Sequence, residues 1–286
     1  MAKRILVPYD VSEQADFALE HALGAFESAE VVLLHVIEPF ADHTGAGGYD
    51  GTLYKQQLEN AEEMLANVRD RYDEADRIDT VVHYGRPVHR IIRTINEDGF
   101  DHVVIGSHGR DGAARLLLGS VAEAVARRSP VPVTVVREPP RGEEPPADIL
   151  VPFDASTMSK RALEYALDQF EDGAVTVLYV AYPEENGGRR MDTVFEILED
   201  WDEERADHIQ SVLLTAEEIA EERGRTVETT NTDGTPAEAI VEFAREGEFD
   251  HIVVGSTGRD GISRLLLGSV AETVVRRAPV SVTVAK

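Results

Sequence analysis

Two glycine-rich segments carry the residues of this chain that are best suited to holding an anion. GSHGRDGAARLLLGS covers residues 106–120, and GSTGRDGISRLLLGS covers residues 255–269. Glycine weakens helices and strands, so its density here indicates backbone that a side chain would obstruct. Unpaired backbone N–H groups at the start of a helix, together with the positive end of its dipole, suit a phosphate group. Both segments therefore predict a phosphate site, with Ser120 and Ser269 opening a helix.

The same serines have a purely structural interpretation. Ser120 stands three residues before Glu123, and Ser269 three residues before Glu272, which is the pattern of a capping box. In that case the serines cap helices, the other glycines make turns, and no ligand is needed. The pattern alone leaves phosphate binding and capping as equal alternatives.

Arginines and one histidine within these segments are further candidates for phosphate contacts. Guanidinium groups pair well with phosphate oxygens, although in so acidic a chain they are also expected to pair with carboxylates. His108 is replaced by Thr257 in the second segment, which a site built from backbone groups tolerates and a catalytic histidine does not. The arginines concerned are Arg110, Arg115, Arg259 and Arg264.

Two aspartates end apolar runs that read as strands. Asp10 lies in VPYDVS and Asp154 in VPFDAS. A carboxylate at the carboxyl edge of a parallel sheet could accept hydrogen bonds from ribose hydroxyls, or it could serve the start of the following helix. His102 and His251, each directly after an aspartate at the head of a strand, are predicted to be structural.

Several signatures of catalysis and metal binding are missing from the sequence. The chain has no cysteine, which excludes disulfides and thiolate sites. It has no P-loop lysine motif, no dinucleotide G-x-G-x-x-G after a strand, no nucleophile elbow and no His/carboxylate cluster with metal-ligand spacing. The sequence favours a site that holds a ligand over one that transforms it.

The sequence contains an internal repeat, with two copies of the same series of motifs. RILVPYDVS returns as DILVPFDAS, FDHVVIGS returns as FDHIVVGS, and RRSPVPVTVV returns as RRAPVSVTVA. Within each copy, short Val-rich apolar runs alternate with amphipathic stretches, which predicts about five parallel strands flanked by helices, a doubly wound α/β fold. Two glycine-rich segments, residues 38–52 and 182–192, interrupt this spacing and read as surface loops or as lids over a site.

The predicted domains are residues 1–138 and 148–286, joined by a proline- and glutamate-rich linker at 139–147. The formal net charge is −26, and only four of the 28 cationic side chains are lysine. So acidic a surface disfavours nucleic acid and anionic membranes as partners, and it resembles the cytosolic proteins of salt-loving microbes. With no signal peptide and no long apolar run, a cytoplasmic location is expected.

These motifs together resemble those of the universal stress protein family. Gly106-x2-Gly109-x9-Gly119-Ser120 and Gly255-x2-Gly258-x9-Gly268-Ser269 match its G-2x-G-9x-G-[S/T] signature, and the resemblance covers nearly the whole chain. It implies two tandem Rossmann-like (adenine nucleotide alpha hydrolase-like) domains, each with a five-stranded parallel sheet. It also implies ATP as the ligand, with Mg²⁺ as a further candidate. Family members commonly dimerise through the last strand, so the two copies are expected to pair as an intramolecular pseudo-dimer, and two chains could associate further.

Carried over by position, the resemblance assigns the binding residues of both copies. Phosphates would lie against the glycine segment, the aspartate would face the ribose, and the residues at the ends of the first two strands would contact adenine. The first-copy set is Pro8, Asp10, Val36, Gly106, His108, Gly109, Arg110, Gly119, Ser120 and Val121. The second-copy set is Pro152, Asp154, Val180, Gly255, Thr257, Gly258, Arg259, Gly268, Ser269 and Val270.

Three functions follow as hypotheses. The first is an ATP-binding stress-response or regulatory protein that switches with nucleotide occupancy. The second is a slow ATPase or self-phosphorylating enzyme acting at the same site. The third is an interaction module without nucleotide, in which the serines are only caps and the glycines only turns.

Overall fold

The chain divides into two compact units, Met1–Pro145 and Pro146–Lys286. A computed structural model describes residues 3–38, 51–109, 118–137, 147–182, 194–256 and 267–286. Most of the predicted linker and most of the two predicted loop or lid segments lie outside these residues. Pairing between the last strands of the two copies stays a prediction.

The first unit has a parallel sheet in the order β3-β2-β1-β4-β5. Strands β2 and β3 lie on one side of β1, and β4 and β5 lie on the other, so the strand order reverses between β1 and β4. The elements are β1 Arg4–Pro8, α1 Glu13–Ala25, β2 Glu30–Ile37, α2 Gly51–Arg69, a 3-10 turn Ala75–Arg77, β3 Ile78–Tyr84, α3 Pro87–Asp98, β4 His102–Gly106, α4 Ser120–Arg128 and β5 Val133–Val136.

The second unit repeats this topology, with the order β8-β7-β6-β9-β10 and parallel pairing throughout. Its elements are β6 Asp148–Pro152, α5 Thr157–Gln169, β7 Ala174–Ala181, α6 Val194–Glu221, β8 Glu228–Asp233, α7 Pro236–Glu246, β9 His251–Gly255, α8 Ser269–Arg277 and β10 Ser281–Ala285. The predicted fold class, an α/β fold with five parallel strands per copy, is confirmed.

The continuous apolar runs form strands that are covered on both faces. Ile5, Leu6 and Val7 of β1 have no exposed surface, and the same holds for Ile149, Leu150 and Val151 of β6. Alternate residues of β1 pack against the apolar face of α1 and against α2, with Leu19 and Leu65 fully buried in that cluster. Each buried aliphatic side chain of this size contributes about 1.5–3 kcal/mol, so burial of these runs fixes the sheet.

In each unit, one arginine donates hydrogen bonds to backbone carbonyls at the carboxyl end of the first helix. Arg77 donates from Nη2 to the Phe26 carbonyl (2.6 Å) and from Nε to that of Ala29 (3.2 Å), just after α1. Arg225 does the same at the end of α5, reaching Leu167, Phe170 and Gly173 at 2.7–3.1 Å. A guanidinium fork suits several carbonyls at once, and a cation is favourable at the negative end of a helix.

None of the helices in the described parts of the chain combines the length and the apolar character needed to cross a membrane.

Candidate functional site

A cavity of about 650 Å³ opens at the carboxyl ends of β1, β2 and β4 in the first unit. This is the edge where the strand order reverses, and open parallel sheets bind ligands at such a point. The structure brings all nine described residues of the first-copy set together around it, and Arg110 lies outside the described residues. The nine are Pro8, Asp10, Val36, Gly106, His108, Gly109, Gly119, Ser120 and Val121.

Helix α4 points its amino end into this cavity without a side-chain cap. Its N-cap is Gly119, which has no side chain to accept a hydrogen bond, and Ser120 is already the first helical residue. Glu123 instead pairs with Arg127 at 2.6 Å. The capping-box interpretation of Ser120 and Glu123 is therefore wrong.

The second copy gives the same correction. The N-cap of α8 is Gly268, again without a side-chain bond, and Ser269 is the first helical residue. Glu272 pairs with Arg276 at 2.9 Å instead of returning to the helix start. Both helices thus begin with backbone N–H groups that have no partner within the helix, and their N-cap residues, which are glycines, supply no side-chain cap.

Gly119 has a structural task of its own. Its N–H donates to the Ser107 carbonyl (2.7 Å), as that of Gly268 donates to the Ser256 carbonyl (2.7 Å). A Cβ on Gly119 would lie 3.1 Å from the His108 Cα. The glycine lets the strand exit and the helix start lie side by side, so the amides left to face the cavity begin at Ser120.

The other motif glycines allow close approach. A Cβ on Gly106 would lie 2.6 Å from the Gln14 carbonyl oxygen, and a Cβ on Gly255 would lie 2.7 Å from that of Met158. Helices α1 and α5 therefore rest directly on the ends of β4 and β9. A Cβ on Gly109 would collide with Oδ2 of Asp10, so this glycine leaves room for the carboxylate.

Asp10 lines the cavity. Its Oδ1 accepts from the N–H (3.1 Å) and the hydroxyl (2.5 Å) of Ser12. Ser12 is the residue that caps α1, since its Oγ accepts from the Ala15 N–H at 3.2 Å. Asp10 therefore supports the helix start through Ser12 and also lines the cavity.

Apolar residues form much of the cavity lining, among them Pro8 and Val36 of the predicted set. His35 also lines the cavity; it is buried, and its Nδ1 donates to the Tyr9 carbonyl at 2.8 Å. Several lining residues are absent from the predicted set, including Ile37, Glu38, Pro87 and Ile91. Pro87, the first residue of α3, belongs to the GRP turn of the sequence, which was the signal that could have found it.

His108 lies beside the start of α4, where its Nδ1 shares a hydrogen bond with the buried Ser107 hydroxyl at 3.1 Å. Its matched residue Thr257 lies outside the described part of the chain, as do Gly258 and Arg259.

The remaining second-copy residues occupy matching positions on their own elements. Pro152 ends β6, Asp154 follows it, and Val180 lies near the end of β7. Asp154 Oδ1 accepts from the Ser156 N–H at 3.0 Å. Gly255 ends β9, and Gly268, Ser269 and Val270 form the start of α8. Tyr179 replaces His35, and its ring meets that of His208 edge-on at 6.0 Å.

Among the described residues, no three His, Asp or Glu side chains are grouped so that they could hold a metal ion. The cavity instead combines an uncapped helix end, a carboxylate and an apolar wall. Such an arrangement suits a ligand with an anionic end, a hydroxyl-bearing middle and a flat apolar end.

Comparison with known proteins agrees with this architecture. The Universal stress protein family model matches residues 1–137 and 147–286. The chain belongs to the universal stress protein family. A universal stress protein of Mycolicibacterium smegmatis is 27% identical over 295 residues, 99% of this chain and 96% of that protein. One from Methanocaldococcus jannaschii is 31% identical over 155 residues, 48% of this chain and 96% of its own length.

Among solved structures, a universal stress protein from Archaeoglobus fulgidus has a TM-score of 0.68 to this one at 27% identity. The match covers 99% of this chain and 98% of that one. This universal stress protein therefore shares its tandem two-domain α/β architecture with a relative along the full length.

Proposed function

We propose that this universal stress protein binds ATP in the cavity of its first unit and acts as a nucleotide-dependent regulatory switch. The observation that carries the proposal is the uncapped amino end of α4, which opens on a cavity with a carboxylate and an apolar wall. The phosphates lie against the N–H groups of Ser120 and Val121, Asp10 accepts from the ribose, and adenine lies between Val36 and Pro87. The matched residues on β6, β7, β9 and α8 form a second site.

The size and the charge of the site support this assignment. Ligand pockets typically measure about 300–1,000 Å³, and a cavity of about 650 Å³ falls within that range. In a chain with a net charge of −26, a polyphosphate needs local donors, and a free helix end supplies both N–H groups and a positive dipole end.

Changing Ser120 to Asp tests the phosphate position without disturbing the helix. An aspartate in the first turn stabilises a helix by about 0.3–1 kcal/mol, so unfolding should be unchanged or slightly harder. The same carboxylate would repel phosphate from the helix end. We expect titration calorimetry with ATP in about 1 M KCl, where the Debye length is roughly 3 Å, to show one site fewer per chain.

Matched variants complete the test. Ser120→Ala keeps the backbone N–H groups on which the proposal rests and should retain ATP binding, whereas Ser269→Asp should remove the second site alone. ATP at 100 times its Kd should stabilise each unit of the parent by about 2.7 kcal/mol, and neither unit of the double aspartate variant should gain stability. Parental ATP binding by the double variant would show that the phosphates do not lie at these helix ends.

A further inference from the structure

The buried serine that follows the fourth strand of each unit has a different partner in the two copies. Ser107 shares a hydrogen bond with His108 at 3.1 Å, whereas the Ser256 hydroxyl donates to Sδ of Met158 at 3.5 Å. The residue matched to Met158 in the first copy is Gln14, which has no sulfur. The contact between serine and thioether therefore belongs to the second unit.

Met158 lies where α5 touches the end of β9. It is the second residue of that helix. A Cβ on Gly255 would lie 2.7 Å from the Met158 carbonyl oxygen and 2.9 Å from its Cβ. Because helix and strand are in direct contact here, a larger group on the methionine side chain has little room on the strand side.

Ser256 connects this contact to the start of α8. Its N–H donates to the Ala285 carbonyl (3.1 Å), and its own carbonyl accepts from the N–H of Gly268 (2.7 Å), the N-cap of α8. One residue thus joins the methionine, through its hydroxyl, to the helix start, through its carbonyl. A displacement of Ser256 is therefore transmitted to α8.

The thioether of Met158 is a group that a peroxide can oxidise. The sequence has four methionines and no cysteine, so thioethers are its easily oxidised sulfur groups. Met158 is half-buried, so solvent reaches part of its surface. With hydrogen peroxide, an S–O bond forms as the O–O bond breaks. The sulfur loses two electrons, the peroxide gains them, and the second oxygen leaves as water with both protons.

The sulfoxide changes both the size and the polarity of this contact. A thioether sulfur is a weak acceptor, whereas a hydroxyl and an acceptor oxygen prefer a separation of about 2.7–2.8 Å. The added oxygen either enters the space between Met158 and Ser256 or turns the side chain away from the serine. In both cases Ser256 loses the partner that now holds its hydroxyl, and the packing of α5 on β9 is disturbed.

We propose that Met158 is an oxidation site, at which a peroxide forms the sulfoxide and thereby loosens the contact between α5 and the start of α8. The consequence for ligand binding rests on the proposed nucleotide site. Oxidation releases ATP from the second unit, and the first unit, with Gln14 at the matched position, keeps it. The two units thus differ in their response to oxidants.

The test treats the full chain with hydrogen peroxide and follows each methionine by peptide mapping with mass spectrometry. Met64 packs against the apolar core of the first unit, so Met158 should form the sulfoxide at least about threefold faster. The melting temperature should fall by roughly 3–8 °C as the sulfoxide accumulates. Methionine sulfoxide reductases should restore the parental value, because this oxidation is reversible.

Two variants assign the effect to one methionine. Met158→Gln carries the residue of the first unit and should keep its melting temperature under the same treatment. Met64→Leu should respond to peroxide as the parent does. Slower oxidation of Met158 than of Met64, or an equal fall in melting temperature in the parent and in Met158→Gln, would overturn the proposal.

Titration calorimetry with ATP on the same samples separates this inference from the proposed function. The untreated parent and the treated Met158→Gln variant should each show two sites per chain, and the treated parent should show one. Two sites in the fully oxidised parent would overturn the link from Met158 to α8. If the untreated parent binds no ATP, the proposed function fails, and the melting temperatures still decide whether oxidation of Met158 loosens the second unit.

Discussion

At the scale of single residues, the buried histidines show how position decides between structure and chemistry. His102 Nε2 and Thr134 Oγ1 are 2.8 Å apart, and His251 and Thr283 repeat this pair at 2.8 Å. The ring of His102 also packs against Phe26, with centroids 4.9 Å apart. Burial lowers the pKa of His102 to about 3, so it stays neutral in the folded protein. Both histidines match the structural role predicted for them.

His21 gives a pH dependence with a definite sign. Burial in α1 lowers its pKa to about 4, against an ordinary value near 6.5, so the unfolded chain binds the proton more tightly. Its contribution to stability is complete above about pH 6.5 and is lost as the pH falls toward 4. His21→Tyr, which copies the matched residue Tyr165, removes this proton. We expect the parent to lose roughly 2–3 kcal/mol more than the variant between pH 7.5 and 4.5.

Denaturant unfolding at a series of pH values measures this difference, with the exposed His89→Gln as control. The control removes an exposed histidine in place of a buried one, and it should lose as much stability as the parent between pH 7.5 and 4.5. Parallel curves for the parent and His21→Tyr would mean that His21 does not stay neutral in the folded state.

At the scale of elements, the sequence predicted the positions of the strands and of the helix starts well. It was less successful in predicting what caps those helices. Apolar runs of four to six residues located the strands correctly. A strand that is buried on both faces needs apolar side chains at every position, so it is visible in the sequence as a continuous apolar run. The Ser-x-x-Glu pattern was misread at α4, since the Gly119 bond to Ser107 starts the helix one residue too early for Ser120 to cap it. Such a bond joins chain segments twelve residues apart, and local pattern does not reveal it.

The candidate site was also predicted only in part from the sequence. Glycines and strand-end aspartates mark the cavity edge because few other residues fit there, so nine predicted residues meet at one cavity. Ile91 was missed because α3 reaches the cavity only through the tertiary fold, whereas the GRP turn could have marked Pro87. The left-handed backbone of Val11, with a φ of 66°, was missed because valine is the residue type least expected there.

The arginine contacts at the helix ends yield a prediction at this scale. Arg225 donates to three carbonyls at the end of α5. Arg225→Ala should lower the free energy of unfolding by about 1.5–3 kcal/mol, since these carbonyls lose a charged donor. Arg225→Lys should recover only part of this loss, because a single ammonium cannot reach three carbonyls in a fork.

Urea unfolding measures both variants, and Arg245→Ala serves as the control on α7. An arginine acting only through its charge would be replaced fully by lysine. Equal stability of Arg225→Lys and the parent would therefore contradict the role assigned to the guanidinium fork.

At the scale of the whole molecule, the charge is the dominant feature. A net charge of −26 repels itself in the compact state, and the described ion pairs lie mostly at half-exposed positions. Exposed pairs contribute about 0–1 kcal/mol each, so they offset the repulsion only in part. We therefore expect the fold to depend on screening by salt ions more than that of an ordinary α/β protein.

We expect the melting temperature to rise with KCl from 0.05 to 2 M, by roughly 5–10 °C, or about 2–3 kcal/mol. The exposed carboxylates of Glu221 and Glu222, at the negative end of α6, should carry part of this dependence. Glu221→Gln with Glu222→Gln should raise the melting temperature at low salt and converge on the parent at 2 M, because screening removes the repulsion in both. Glu62 and Glu63 are exposed within α2 and away from its end, so they do not interact with the helix dipole. The double variant Glu62→Gln with Glu63→Gln should therefore gain less in melting temperature at low salt. Differential scanning calorimetry gives all three curves, and a melting temperature that falls as KCl is added would show that self-repulsion does not limit this fold.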